Sequence, residues 1–204
     1  NFSSSEKIVY VAPIARDVTK NRKTIRKELG VKNRDKLIFF SMGGGFFFEK
    51  ILSILNEISF EYPDFKFLFL PKNFDEMKIV RSNFENIVVP KKIEIDTQNY
   101  VNASNLVIAK CGFSTIAESL KYKVKILPIH LPSHPEISEN EQLLYKYELV
   151  NSSIKLERDL KDLRILMKKI EDSLNNKEVE KIMKKINCDG DEIISNVIIE
   201  NYFQ

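Results

Sequence analysis

Cysteine, histidine, glycine and long apolar runs are all scarce in this chain, and each shortage excludes something. The two cysteines, Cys111 and Cys188, have no Cys-x-x-Cys spacing, so they read as reduced thiols in a cytosolic setting. With only His130 and His134 beside them, composition makes no provision for a metal centre. No apolar run approaches the roughly 20 residues that a membrane span needs, and no signal-peptide pattern opens the chain. Net charge is only +3, so no overall field calls for nucleic acid, and none is expected as a partner. Three of the six glycines are consecutive, Gly43-Gly44-Gly45, but the Gly-Lys-Ser/Thr ending of a Walker loop does not follow them.

What remains is an ordinary soluble composition: 204 residues, 43% hydrophobic, enough for one sizeable α/β domain or two small ones. The chain opens on Asn1 rather than Met, and Asn1 to Glu6 is polar and serine-rich. Such an opening is expected of a processed or excised chain whose N-terminal half is missing.

Lys7 to Ala12 is a short apolar segment, and Pro13-Ile14-Ala15-Arg16 reads as a turn or linker. Asp17 to Leu29 is predicted as a basic helix stopped by Gly30. Lys20, Arg22, Lys23, Arg26, Lys27, Lys32, Arg34 and Lys36 make this the most basic part of the chain. Two readings stay open for it, a solvated helix face and a surface for an anionic membrane or a phosphate. Leu37 to Phe40 is a continuous apolar run, as in a strand buried on both faces, and it enters the glycine turn, after which Phe47 to Ile58 has helical spacing. Strands are predicted at Phe65 to Leu70, Ile87 to Val89, Leu106 to Ala109, Lys125 to Leu131 and Ser153 to Leu156. Helical pieces are predicted at Asp75 to Arg81, Thr97 to Ala103, Ser138 to Val150, Asp159 to Asn175, Glu178 to Ile186 and Asp191 to Phe203. This alternation implies an α/β, Rossmann-like, doubly wound parallel sheet, with ligands beyond the carboxyl ends of the strands.

Ser104 to Glu118 is the centre of that scheme. A buried strand breaks at Gly112 and re-enters a helix capped at Ser114 or Thr115. Backbone N–H groups at such a helix start favour an anion, phosphate above all. Glu118 lies one turn into the helix, where its carboxylate accepts either from a sugar diol or, through the capping box Thr115-Ile-Ala-Glu118, from the Thr115 N–H. Cys111 reads as a small buried filler, and His130 and His134, among Pro128, Pro132 and Pro135, as loop histidines.

These residues resemble a family. Gly112, Thr115 and Glu118 match a Gly-x-x-Thr-x-x-Glu signature. With Ile126-Leu127-Pro128, Glu141-Gln142 and the Gly43-Gly44-Gly45 turn, the chain is similar to the C-terminal donor-binding domain of family 28, MurG-like GT-B glycosyltransferases. The resemblance implies the C-terminal half of a GT-B fold, with residues 1–16 a linker between domains, residues 17–190 the donor-binding domain and residues 191–204 a C-terminal helix. It implies a nucleotide-diphosphate sugar, most often UDP-linked in the family, as substrate, with no cofactor and no metal bound by an Asp-x-Asp motif, a motif expected to be absent here. Glu118 would hold the ribose hydroxyls. Gly112, Ser114 and Thr115 would hold the diphosphate, and Lys110 is placed to pair with phosphate or to snorkel from the strand end. Glu141 and Gln142 would face the donor sugar, and Gly43 and Gly44 would line the cleft. The catalytic base is expected from an N-terminal acceptor-binding domain, and a lipid-linked acceptor would place the protein in the cytoplasm at the inner membrane face. Tyr145-Lys146 stands where the family often has Asn-Ala, so the identity of the sugar does not carry over. A nucleotide-sugar hydrolase and a non-catalytic binding subunit are the alternatives on the same fold.

Overall fold

A computed structural model describes residues 11–41, 61–70, 86–92 and 96–202. The elements are α1 (Arg22–Glu28), β1 (Lys36–Ser41), β2 (Phe65–Phe69), β3 (Ile87–Val88), α2 (Thr97–Ala103), β4 (Leu106–Ala109) and α3 (Phe113–Lys121). They continue with β5 (Lys125–Pro128), α4 (Pro135–Lys146), α5 (Leu156–Asp159), α6 (Leu163–Asn175), α7 (Lys177–Lys185) and α8 (Gly190–Tyr202). The five strands form a parallel sheet in the order β3-β2-β1-β4-β5.

Apolar runs, rather than alternating ones, produce this sheet because both of its faces are covered. Ile38, Phe40, Phe67, Phe69, Leu106, Ile108 and Leu127 point to one layer, where Leu166, Met167 and Ile170 of α6 meet them. Leu37, Phe39, Leu68, Val107 and Ala109 point to the other, against Ile25 of α1 and Tyr100 and Val101 of α2. A third cluster joins Ile116 and Leu120 of α3 to Leu144 of α4 and to Val179 and Met183 of α7. The strand order reverses between β1 and β4. In a doubly wound sheet that switch point opens a crevice at the carboxyl edge.

Three expectations need correcting. The basic helix begins at Arg22, not Asp17, because the Asn99 side-chain oxygen accepts from the backbone N–H groups of Thr19 and Lys20 (2.9 and 3.2 Å) and Asn21 caps the helix through Thr24. The last strand reduces to one parallel bridge, Ile129 to Ile154. The helix expected from Asp159 begins only at Leu163, and Asp159 instead ends the short α5. Asp159 closes α5 by accepting from the Lys155 N–H at 2.8 Å, and Asp162 then caps α6 through Arg164.

Part of the basic stretch is neither solvated nor available to a partner. Arg22 donates to the carbonyls of Asn102 and Ser104, both at 2.6 Å. Arg26 is buried and donates to the carbonyls of Ala103, Lys32 and Asp35. Gly43, Gly44, the helix expected from Phe47 and the turn around Asp75 lie outside the described residues.

Candidate nucleotide site

β4 ends at Ala109, beside the reversal of strand order, and the chain turns through Lys110-Cys111-Gly112 into α3. Cys111 takes the left-handed backbone, with φ of 62°, which is uncommon for a residue with a side chain. Its side chain is fully buried. Burial, and secondarily the charge of Glu141, pushes the thiol up to about 12, so this cysteine is no nucleophile.

Gly112 is the N-cap of α3, at φ −62° and ψ 139°, and no side chain caps the helix. The cap expected at Ser114 or Thr115 is therefore displaced by two or three residues. A helix that starts directly after a left-handed residue puts Phe113, Ser114 and Thr115 in its first turn. Their N–H groups have no acceptor within the helix and none from a capping side chain, which is the arrangement that receives an anion. Ser114 is exposed, Thr115 is half-buried, and the Phe113 ring stands out beside them, 56% exposed. Lys110 is half-buried at the strand end.

Glu118 makes no capping box. Its carboxylate is buried, and Oε1 accepts from Arg16, with Nε at 2.9 Å and Nη2 at 2.8 Å. Oε2 accepts from no described residue. Arg16 Nη2 also donates to Thr97 Oγ1 at 2.7 Å. Around this pair, residues 15–19 are fastened across α2 and α3. Lys121 donates to the Ala15 carbonyl at 2.9 Å and the Tyr122 hydroxyl to the Arg16 carbonyl at 2.6 Å. Lys121 also pairs with Asp17 at 2.8 Å. Arg16 is a site residue that sequence reasoning passed over, because nothing local marks a contact between a loop and a helix about half the chain away.

On the other side of the turn stands α4. Asn140 donates to the Cys111 carbonyl at 3.0 Å, tying this helix to the turn before α3. Glu141 is buried, with Oε2 2.9 Å from Nδ1 of His130, two residues past the end of β5. Gln142 is exposed. Glu141 and Gln142 lie in the middle of α4, which begins at Pro135, earlier than the expected Ser138, because the proline ring suits a first helical position. Neither Asn140 nor the partnership of His130 was foreseen. The structure thus brings Lys110, Gly112, Ser114, Thr115, Glu118 and Glu141 to one edge of the sheet.

The expected absence of an Asp-x-Asp motif does not hold, since Asp189-Gly190-Asp191 is one. It sits at the start of α8 against Ala12, and among the described residues no group of three His, Cys, Asp or Glu side chains is placed to hold a metal. A basic pocket lined by Lys20, Lys91, Lys92 and Tyr100 lies against α1 and α2 and is separate from this site.

Comparison with solved structures finds the same fold in proteins of low identity. The calicheamicin glycosyltransferase superposes with a TM-score of 0.65 at 10% identity, over 85% of this chain and 44% of that one. Spinosyn rhamnosyltransferase gives 0.64 at 11% identity, over 100% and 53%. The UDP-GlcNAc 2-epimerase of Neisseria meningitidis, solved bound to UDP-GlcNAc, gives 0.59 at 16% identity, over 88% and 48%. The chain spans about half the length of these proteins. No curated protein matches it significantly in sequence. The model of the glycosyltransferase family 28 C-terminal domain, however, matches residues 42–197, which takes in the switch-point turn, α3 and α4 together, and the chain belongs to that family.

Proposed function

We propose that this domain binds a nucleotide-diphosphate sugar, a UDP-sugar, as the donor half of a GT-B glycosyltransferase, for transfer of a hexose or N-acetylhexosamine to an acceptor held by an N-terminal domain. One observation carries the reading. The uncapped start of α3 emerges at the switch point between β1 and β4, and a buried carboxylate, Glu118, waits little more than one turn further along the same helix.

In this reading the N–H groups of the first turn, with the Ser114 and Thr115 hydroxyls and Lys110, receive the diphosphate. Their role in transfer is electrostatic. They are in place before charge builds on the departing diphosphate, so no reorganisation is needed when it leaves. Glu118 Oε2 accepts from the ribose diol once Arg16, which is half-exposed, swings aside from Oε1. Glu141 and Gln142 lie on the sugar side of the turn before α3. No metal is required. The base that activates the acceptor comes from the N-terminal domain, and a lipid-linked acceptor would bring the protein to the inner membrane face. No helix among the described residues is long and apolar enough to cross a membrane.

Calorimetric titration with UDP, UDP-GlcNAc, GDP and dTDP, with and without magnesium, tests this. Metal-independent, uridine-selective binding that Glu118→Gln weakens by about tenfold or more is the expected result, the value of a charge-assisted hydrogen bond. Binding of no nucleotide, with or without the N-terminal half present, would overturn it.

A further inference from the structure

The pairing of His130 with Glu141 is not used by the scheme above. Glu141 is 5% exposed at its side chain, and its only described partner is the His130 ring. An ionised carboxylate only accepts hydrogen bonds, so Nδ1 carries the proton. That orients the ring and leaves Nε2, an acceptor in the neutral ring and a donor in the charged one, turned away from the acid. Nε2 bonds to no described residue, and the His130 side chain is 37% exposed.

Position adds to chemistry. The Ile129 N–H donates to the Ala109 carbonyl at 2.8 Å, so His130 stands level with the turn that follows β4. Asn140, next to Glu141, holds the Cys111 carbonyl of that turn. The imidazole is thus flanked on one side by the proposed diphosphate cradle and oriented from beneath by a buried acid.

We infer that His130 is a donor-sugar contact, and that Glu141, rather than touching the sugar, is the positioning residue that presents His130 Nε2 to a sugar hydroxyl. The assignment rests on the nucleotide-sugar reading of the switch-point turn. It places discrimination between sugars at the end of β5.

Two isosteric substitutions separate contact from scaffolding. The amide nitrogen of Asn stands near the place of Nδ1, so His130→Asn keeps the bond to Glu141 and removes the group at Nε2. His130→Gln does the reverse. Titration of UDP and UDP-GlcNAc into the wild-type chain and both variants reads the outcome. His130→Asn is expected to leave UDP affinity within about twofold and to weaken UDP-GlcNAc by about tenfold, the worth of one hydrogen bond, while His130→Gln retains most of that affinity. In the wild-type chain, long-range proton–nitrogen NMR is expected to show the His130 proton on Nδ1, and Glu141→Gln to alter that signature. If His130→Asn binds UDP-GlcNAc as tightly as wild type, or if UDP and UDP-GlcNAc weaken together, the inference is wrong and the nucleotide-sugar reading stands. If wild type binds neither compound, both fall.

Discussion

Arg16 and Glu118 are 102 positions apart in sequence and 2.8 Å apart in the fold. The carboxylate is almost wholly buried, whereas half of the arginine side chain faces solvent, 3% against 52% exposed. The pair therefore has an asymmetric role. Arg16 satisfies a buried charge, and because half of it faces solvent another donor can take its place, but only by supplying that bond in turn.

From that asymmetry follows the first prediction. Arg16→Ala strands a buried carboxylate and should cost about 1–3 kcal/mol in urea unfolding, the usual penalty for a buried group without a partner. In a Glu118→Gln background the same substitution should cost much less. Additive losses in this double-mutant cycle would show that the two side chains are not coupled. UDP should also raise the unfolding midpoint of Arg16→Ala more than that of wild type, because in the proposed complex its ribose hydroxyls would take over as donors to Glu118.

Arg26 makes the second. Burial lowers the pKa of its guanidinium, with Asp35 opposing, and the charge is tolerated because its two Nη atoms reach the carbonyls of Ala103, Lys32 and Asp35 and the side-chain oxygen of Asn105. A lysine has one nitrogen where this network needs a planar fork. Arg26→Lys should therefore destabilise by about 2–3 kcal/mol, the scale of lost hydrogen bonds to a charged group, with nucleotide affinity unchanged in whatever fraction stays folded. A silent Arg26→Lys in thermal unfolding would mean that these carbonyls find water instead.

The sequence made the sheet readable because its strands are buried on both faces, so Leu37 to Phe40 and Leu106 to Ala109 are plain apolar runs bounded by turns. The strand–turn–helix at Gly112 was readable for the same reason, together with its match to a family signature. The cap was not. Gly112 caps by lacking a side chain, whereas Ser114 and Thr115 carry the residue types that usually cap. Nor were Arg16 over Glu118, Asn140 on Cys111 or His130 on Glu141 readable, since each joins elements that meet only after the sheet has formed. Arg22 and Arg26 show the opposite failure. A dense basic stretch invites an electrostatic reading, but two of its members serve backbone carbonyls at the end of α2 and before β1.

Asp159 gives a prediction in pH. Burial would raise its carboxyl, but hydrogen bonds from Lys169, the Lys155 N–H and Arg158 outweigh burial and hold it below the ordinary value of 3.8. The unfolded chain then takes up the proton first. The stability due to this group is fully present above the unfolded value and is lost as pH falls through the folded one. Urea unfolding of the wild type should thus weaken between about pH 5 and pH 2 more steeply than that of Asp159→Asn. At pH 7 the variant should itself be less stable by about 3 kcal/mol, since Lys169, only 16% exposed, loses its ionic partner. Parallel pH curves for the two proteins would rule this account out.

Gly190 tests the sign of an effect rather than its size. At the start of a helix, Gly→Ala ordinarily stabilises by up to about 1 kcal/mol, because alanine has the better helix propensity. Here an added Cβ would come within 2.0 Å of the Ala12 carbonyl oxygen and 3.1 Å of Ile14 Cγ1. The first of these is backbone, so either α8 or the segment around Ala12 must move. Gly190→Ala should therefore destabilise, by about 1–3 kcal/mol as overpacking usually does. The damage should spread along the chain from Ala12 to Arg16, two residues past Ile14, and loosen the cover over Glu118. Hydrogen exchange in residues 11–20 should rise in the variant while the amides of β1 and β4 stay protected. A Gly190→Ala protein that is more stable than wild type, with exchange in residues 11–20 unchanged, would mean that α8 does not rest on this segment in solution.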